Sequence, residues 1–102
     1  MFNPKHRSIS EHMSEVSEEM TIINRLGMHL RPAQQFVQTV LKFECDVHVH
    51  KSGQRVNAKS IMGLLTLAAG KGTRIEVVCD GSDSEAALTA VRDLLASGFG
   101  ED

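Results

Sequence analysis

The stretch Gly27–Ala33, GMHLRPA, marks the point where strand-like sequence gives way to the first amphipathic helix. Proline has a preset φ and no N–H, so the first turn of a helix accepts Pro32 whereas a helix interior does not. The unpaired backbone N–H groups of that turn, together with the helix dipole, favour an anion there. His29 adds a nucleophilic nitrogen, and Arg31 adds a planar set of donors suited to phosphate or carboxylate. The stretch therefore predicts a histidine that carries a phosphoryl group.

Each of these residues also has an ordinary alternative role. A histidine beside a helix start is commonly a solvated loop residue, and an arginine is commonly a surface charge. Pro32 alone would mark only the start of a helix. The phosphoryl-carrying interpretation therefore depends on the rest of the chain.

Length and composition predict a single small globular domain. The chain has 102 residues, of which 41% are hydrophobic and 24% are charged, which suits one core but not two. It has four Phe and neither Trp nor Tyr, so the core must be mainly aliphatic. Scarce aromatics and a net charge of −2 argue against a nucleic-acid binder, and the charge also argues against one drawn to anionic lipid.

Other function classes have little support in the sequence. No apolar run approaches the length of a membrane span, and the N-terminus lacks the apolar core of a secretory signal, so we expect a cytoplasmic protein without membrane insertion. Cys45 and Cys79 stand far apart without a zinc-like spacing, and we interpret them as reduced structural residues. We predict neither a metal site nor a cofactor, and no nucleophile–base–orienter set indicates a hydrolase.

The polar N-terminal sequence and the periodic sequence after it divide the chain in two. Residues 1–18 hold no apolar period and predict a flexible extension, which leaves residues 19–102 as the folded domain. Apolar spacing in that domain predicts the order β-α-β-β-α-β-α. The expected strands are 20–24, 46–50, 55–57 and 73–79, and the expected helices are 32–43, 60–69 and 84–97.

Strict alternation in residues 46–50, DVHVH, indicates a strand with valines on one face and polar side chains on the other. His48 and His50 share the polar face, where a metal pair is one alternative. A solvated sheet face fits better, because no third ligand completes such a site. Helices gathered on the apolar face and water on the polar face indicate an α+β two-layer domain.

Three motifs in order give the chain a resemblance to the HPr family, the histidine-containing phosphocarriers of bacterial phosphotransferase systems. They are GMHLRPA at 27–33, NAKSIMG at 57–63 and AAGKGT at 68–73, and the likeness extends over residues 20–102. The resemblance implies an open-faced β-sandwich of β-α-β-β-α-β-α order. In that fold a four-stranded antiparallel sheet carries three helices on one face, which agrees with the order read from the residues.

The resemblance also implies roles for three residues. His29 matches the residue phosphorylated on ring Nδ1 by phospho-Enzyme I, and Arg31 matches the arginine that steadies the phosphoryl group during transfer. Ser60 matches the serine that HPr kinase/phosphorylase modifies in some bacteria. The implied protein is a phosphoryl carrier rather than an enzyme, and it passes its cargo to an EIIA-type protein.

The expected partner surface lies around His29. Met62, followed by a glycine, suits adaptable contacts with several partners. Ile61 and Leu65 on the same helix are candidates too, although filling the core would explain both of them equally well. Gln34 stands where the family commonly has a small alanine, close to this surface.

The sequence leaves open the branch of the family and an alternative function. The ending LLASGFGED at 94–102 resembles the nitrogen-related branch of the family, whereas SIMG at 60–63 resembles the sugar-transport branch. Leu30 also replaces the small or hydroxylated residue usual between the histidine and the arginine. The alternative function is a regulatory binding module that acts through Ser60 and the second helix without carrying phosphate, against which the presence of His29 and Arg31 argues.

Overall fold

The computed structural model describes residues 14–101 and confirms the expected order of strands and helices. A short 3₁₀ turn follows the last helix. The elements are β1 (Glu15–Thr21), α1 (Leu30–Val40), β2 (Asp46–Lys51), β3 (Gln54–Asn57), α2 (Ile61–Thr66), β4 (Arg74–Asp80), α3 (Ser84–Ala96) and the 3₁₀ turn (Gly98–Gly100).

The four strands form one antiparallel sheet in the order β1-β4-β2-β3. The expected alternation in β2 is confirmed, since Val47 and Val49 are fully buried while His48 and His50 are only partly covered. The neighbouring β4 has the same alternation, and its buried residues are Ile75, Val77 and Cys79. The apolar face of the sheet packs against the helices, and the architecture is the open-faced α+β sandwich expected from the family.

The apolar stripe of α1 supplies much of the core. Ala33, Phe36, Val37 and Val40 are buried, as the three-and-four spacing predicts. Leu41 belongs to the same expected stripe but is the exposed C-cap residue, since α1 ends at Val40 rather than Phe43. The largest side chains in the fully buried set are those of Phe36, Ile22, Leu64, Leu67 and Ile75.

The first strand is displaced from its expected position. It covers residues 15–21 instead of 20–24, and its residues 15–18 fall in the stretch expected to be a flexible extension. The β-branched run at 21–23 suggested the wrong segment, because Glu15–Thr21 pairs along β4 and places Val16 and Met20 on the face that packs against the helices. Residues 1–13, the rest of the predicted extension, lie outside the described residues.

Two helices begin or end earlier than expected. α1 begins at Leu30, so Pro32 is its third residue, which is still within the turn whose N–H groups lack helical partners. α2 ends at Thr66 rather than Ala69, because Ala68 has a φ of 51°, in the left-handed region. α3 differs from the expected helix by one residue at its end.

Candidate functional site

His29 is the N-cap residue of α1, with extended backbone dihedrals (φ −95°, ψ −169°). Its carbonyl oxygen accepts the first helical hydrogen bond from the Ala33 N–H at 3.0 Å, and its side chain is 36% exposed. No side chain caps this helix, and its first turn holds no acidic residue. The imidazole thus stands beside a helix N-terminus that has no anion of its own.

The loop before His29 is fastened to the segment between α2 and β4. The Met28 N–H donates to the carbonyl of Ala69 at 2.8 Å, and the His29 N–H donates to that of Gly27 at 3.0 Å. Gly27 has a φ of +72°, and a Cβ there would lie 2.4 Å from the Ala69 oxygen. Only glycine fits this turn, and the turn determines where the imidazole emerges.

Hydrogen-bond donors and positive charge lie in the segment that follows His29. The backbone N–H groups of Leu30 and Arg31 have no partner inside the helix, since they belong to its first turn. The guanidinium of Arg31 is exposed and forms no ion pair at contact distance with any described residue. Together with Arg25 it lines a surface cleft that also includes Leu26 and Glu101. A phosphoryl group attached to His29 would find unused donors here.

The imidazole also contacts a carboxylate that the sequence did not indicate. Glu101 Oε1 lies 3.2 Å from His29 Nε2 and accepts a hydrogen bond from Asn24 Nδ2 at 3.0 Å. The hydrogen bond with His29, and next that from Asn24, lower the pKa of Glu101, with nearby Arg31 adding to the effect. The carboxylate is therefore held in its charged form. Since 72 residues separate the two partners, no local pattern could have found this contact.

Ser60 caps α2, as the sequence predicts. Its Oγ accepts a hydrogen bond from the Gly63 N–H at 3.0 Å, and the residue is half-buried. Just before it, Lys59 donates from Nζ to the carbonyl of Phe43 at 3.0 Å. Capping alone stabilises a helix by about 1 kcal/mol.

The residues expected to contact partners are exposed to different degrees. Met62 is 69% exposed, and Gln34 is exposed on α1, which packs against α2. Ile61 and Leu65 are half-buried and pack against the core. Leu30, beside the imidazole, is a further large apolar side chain that faces solvent. The exposed part of this surface thus centres on Leu30, Gln34 and Met62.

His48 and His50 on β2 and the two cysteines do not form part of this site. Within residues 14–101, no group of three or more His, Cys, Asp or Glu side chains could hold a metal ion. Cys45 and Cys79 are free and buried, and burial raises their pKa values to about 12 and about 11. A thiol with such a pKa is almost entirely protonated at neutral pH and is a poor nucleophile.

Over residues 14–101, no helix combines the length and the apolarity needed to cross a membrane.

Comparison with known proteins places these features in one family. The sequence model described as the PTS HPr component phosphorylation site matches residues 16–97. The chain is 48% identical over 86 residues to the phosphocarrier protein HPr of Neisseria meningitidis serogroup A, covering 84% of this chain and 97% of that protein. It is 42% identical over 87 residues to the phosphocarrier protein HPr of Xylella fastidiosa strain Temecula1, covering 85% and 98%.

A solved structure agrees with the sequence comparisons. The crystal structure of HPr-C-His from Thermoanaerobacter tengcongensis is similar to this chain with a TM-score of 0.83 at 41% identity. The likeness covers 85% of this chain and 98% of that one. By sequence and by fold, the chain belongs to the HPr family, the phosphocarrier proteins of the phosphotransferase system.

Proposed function

We propose that His29 is the residue that carries the phosphoryl group, which it accepts from phospho-Enzyme I and passes to an EIIA-type protein. The observation that carries this proposal is a partly exposed imidazole at a helix N-terminus without a side-chain cap, two residues before the exposed Arg31. A carrier must release its cargo as well as receive it, and a shallow exposed site suits both steps. A phosphocarrier of this kind works in the cytoplasm.

Transfer to His29 needs an unprotonated ring nitrogen and donors for the phosphoryl oxygens. The ring nitrogen attacks phosphorus while the bond between phosphorus and Enzyme I breaks. The Leu30 and Arg31 N–H groups and the Arg31 guanidinium then supply donors for the oxygens. Phosphoryl transfer depends mainly on such positioning and charge stabilisation, and the next protein completes the site when it docks.

The proposed docking surface is the exposed patch beside His29, formed by Met62 and Gln34 with the exposed edges of Ile61 and Leu65. A flexible thioether adapts to differently shaped partners, which suits a protein that must bind both a donor and an acceptor. The patch lies on α1, whose N-cap is His29, and on α2, which packs against α1. Enzyme I and the EIIA-type protein would therefore use the same surface in turn.

Ser60 lies within this surface and is the proposed regulatory site for a kinase of the HPr kinase/phosphorylase type. A phosphate on its Oγ would stand at the N-terminus of α2, where negative charge is tolerated, while adding charge beside an apolar docking face. We expect Ser60→Asp to weaken binding of Enzyme I measured by calorimetry, while the fold stays intact by circular dichroism. Ser17→Asp, at an exposed position of β1 and outside the proposed surface, is the control. Equal binding by all three proteins would exclude regulation through Ser60.

The test of the carrier proposal is labelling with Enzyme I and labelled phosphoenolpyruvate. We expect one label that is labile in acid and stable in base, as a phosphohistidine is, and that is absent from His29→Ala. Label retained in that variant would contradict the assignment of His29. Adding EIIA-type acceptors from a sugar branch and from a nitrogen branch in separate reactions would show which of them removes the label.

A negative result has a defined meaning if the Enzyme I used is the cognate one and is active on another carrier. Absence of label would then favour the regulatory binding module, in which Ser60 and the surface of α2 act without phosphate on His29.

A further inference from the structure

We propose that Glu101 is a positioning residue, which holds the imidazole of His29 with its proton on Nε2 and so presents Nδ1 as the nucleophile. This inference rests on the proposed function of His29. Two features of the molecule carry it: the contact between Glu101 and the ring, and the way Glu101 itself is held in place.

The contact determines which nitrogen bears the proton. Glu101 Oε1 lies 3.2 Å from Nε2, and an ionised carboxylate can only accept a hydrogen bond. The bond therefore requires a proton on Nε2, which in a neutral imidazole leaves the lone pair on Nδ1. A carboxylate that fixes the tautomer and orientation of a histidine is a recurring arrangement in catalytic sites, where its loss costs activity although it never touches the substrate.

Glu101 is itself held by the buried part of the molecule. Asn24, 1% exposed, donates from Nδ2 both to Glu101 Oε1 at 3.0 Å and to the carbonyl of Gly27 at 2.8 Å. The same amide thus fastens the carboxylate and the turn that presents His29. The Glu101 side chain is only 20% exposed, which is much lower than expected for a glutamate in a mobile terminus.

The backbone after α3 brings Glu101 to this position. The 3₁₀ turn runs through Gly98, Phe99 and Gly100, all at positive φ, and the Phe99 side chain is buried in the core. The Glu101 N–H donates to the carbonyl of Gly98 at 2.9 Å, which closes the turn. Burial of Phe99 anchors the chain, and the turn then directs the next side chain toward the imidazole.

Charges of both signs lie near His29. Glu101 lies at Nε2, while Arg31 of α1 and Arg25 of the preceding loop line the same cleft. When the Nδ1 lone pair attacks phosphorus, the N–P bond forms and Enzyme I takes the electron pair of the bond that breaks. The proton stays on Nε2, the ring becomes positively charged, and Glu101 balances that charge. Arg31 and the helix N-terminus are left to bind the phosphoryl oxygens.

The tautomer of His29 can be measured without any partner protein. Nitrogen-15 NMR at about pH 8.5, where an imidazole is neutral, distinguishes protonated from unprotonated ring nitrogens. We expect a single Nε2–H form in the wild-type chain and a detectable Nδ1–H form in Glu101→Ala. Glu101→Gln, whose amide oxygen still accepts, should retain part of the bias. Glu76→Ala, which removes the carboxylate beside His50, is the matched control and should leave His29 unchanged.

Phosphotransfer from Enzyme I gives the second measurement. We expect Glu101→Ala to slow it about tenfold, with Glu101→Gln between that variant and the wild type and Glu76→Ala at the wild-type rate. An Nδ1–H tautomer in the wild type, or the same tautomer and rate in Glu101→Ala, would overturn the proposal. If the wild-type chain accepted no phosphoryl group, the proposed function would fail. The NMR result would then decide separately whether Glu101 positions the ring.

Discussion

Within residues 14–101, two histidine–carboxylate pairs lie in different surroundings. In the first, His29 Nε2 lies 3.2 Å from Glu101 Oε1; in the second, His50 Nδ1 lies 3.5 Å from Glu76 Oε1. Glu101 is 20% exposed and held by Asn24, whereas Glu76 is 50% exposed on the open face of the sheet. Only the first pair adjoins a helix N-terminus.

The comparison shows that contact with a carboxylate does not by itself make a histidine a phosphoryl-accepting residue. His50 and Glu76 are brought together by strand register, since they lie opposite each other on β2 and β4. An exposed pair of this kind contributes little, because water competes for both partners. At His29, by contrast, the fixed turn, the uncapped helix and the held carboxylate all act on one ring, and each of them depends on the tertiary fold.

The largest expected difference is between the two histidines themselves. We expect His29→Ala to lose all labelling from phospho-Enzyme I and His50→Ala to retain the wild-type amount, because only His29 has donors placed for a phosphoryl group. Quantitative labelling of both variants, each checked by circular dichroism, makes the comparison. A substantial loss of label in His50→Ala would mean that the open sheet face takes part after all.

The features encoded locally were predictable from the sequence. The order of the elements follows from the apolar spacing, and the cap of α2 follows from Ser60. Pro32 indicates the helix start beside His29, and Arg31 indicates a side-chain donor there. These depend on residues within a turn or two of each other, where spacing and side-chain chemistry suffice.

The features that depend on distant parts of the chain were not predictable in the same way. The position of β1 was wrong because Glu15–Thr21 has few apolar residues and owes its strand conformation to pairing with β4. Glu101 was missed because its contact with His29 spans almost the whole domain and depends on the buried Phe99 and Asn24. Long-range packing, rather than local preference, decides both.

The next largest effect is expected from an arginine close to each histidine. Arg31 follows His29 by two residues, and Arg55 lies opposite His50 on β3. We expect Arg31→Ala to slow phosphotransfer by about a hundredfold, as loss of a donor to a developing charge typically does. Arg55→Ala should leave the rate unchanged. Rapid-quench measurement of label transfer from phospho-Enzyme I tests both. Equal rates in the two variants would remove Arg31 from the site, provided that the helix content of both is that of the wild type.

The smallest expected effect is on the acid stability of the fold. Hydrogen bonds from His29 and Asn24 lower the pKa of Glu101 in the folded state, so the unfolded chain binds the proton more readily. The stabilisation is therefore complete above about pH 5 and is lost as the pH falls through the lowered folded pKa. Glu101→Gln cannot titrate, so its free energy of unfolding should fall less steeply with acid than that of the wild type.

Urea unfolding at a series of pH values measures this dependence. Asp83 gives a second reference, because the backbone N–H groups of Glu44 and Cys45 donate to it at 2.8 and 2.9 Å and lower its pKa. Asp83→Asn should therefore also flatten the acid limb, but without any change in the tautomer of His29. If Glu101→Gln followed the wild-type pH dependence throughout, the carboxylate would not be held by the ring in solution, and the contrast with the His50 pair would disappear.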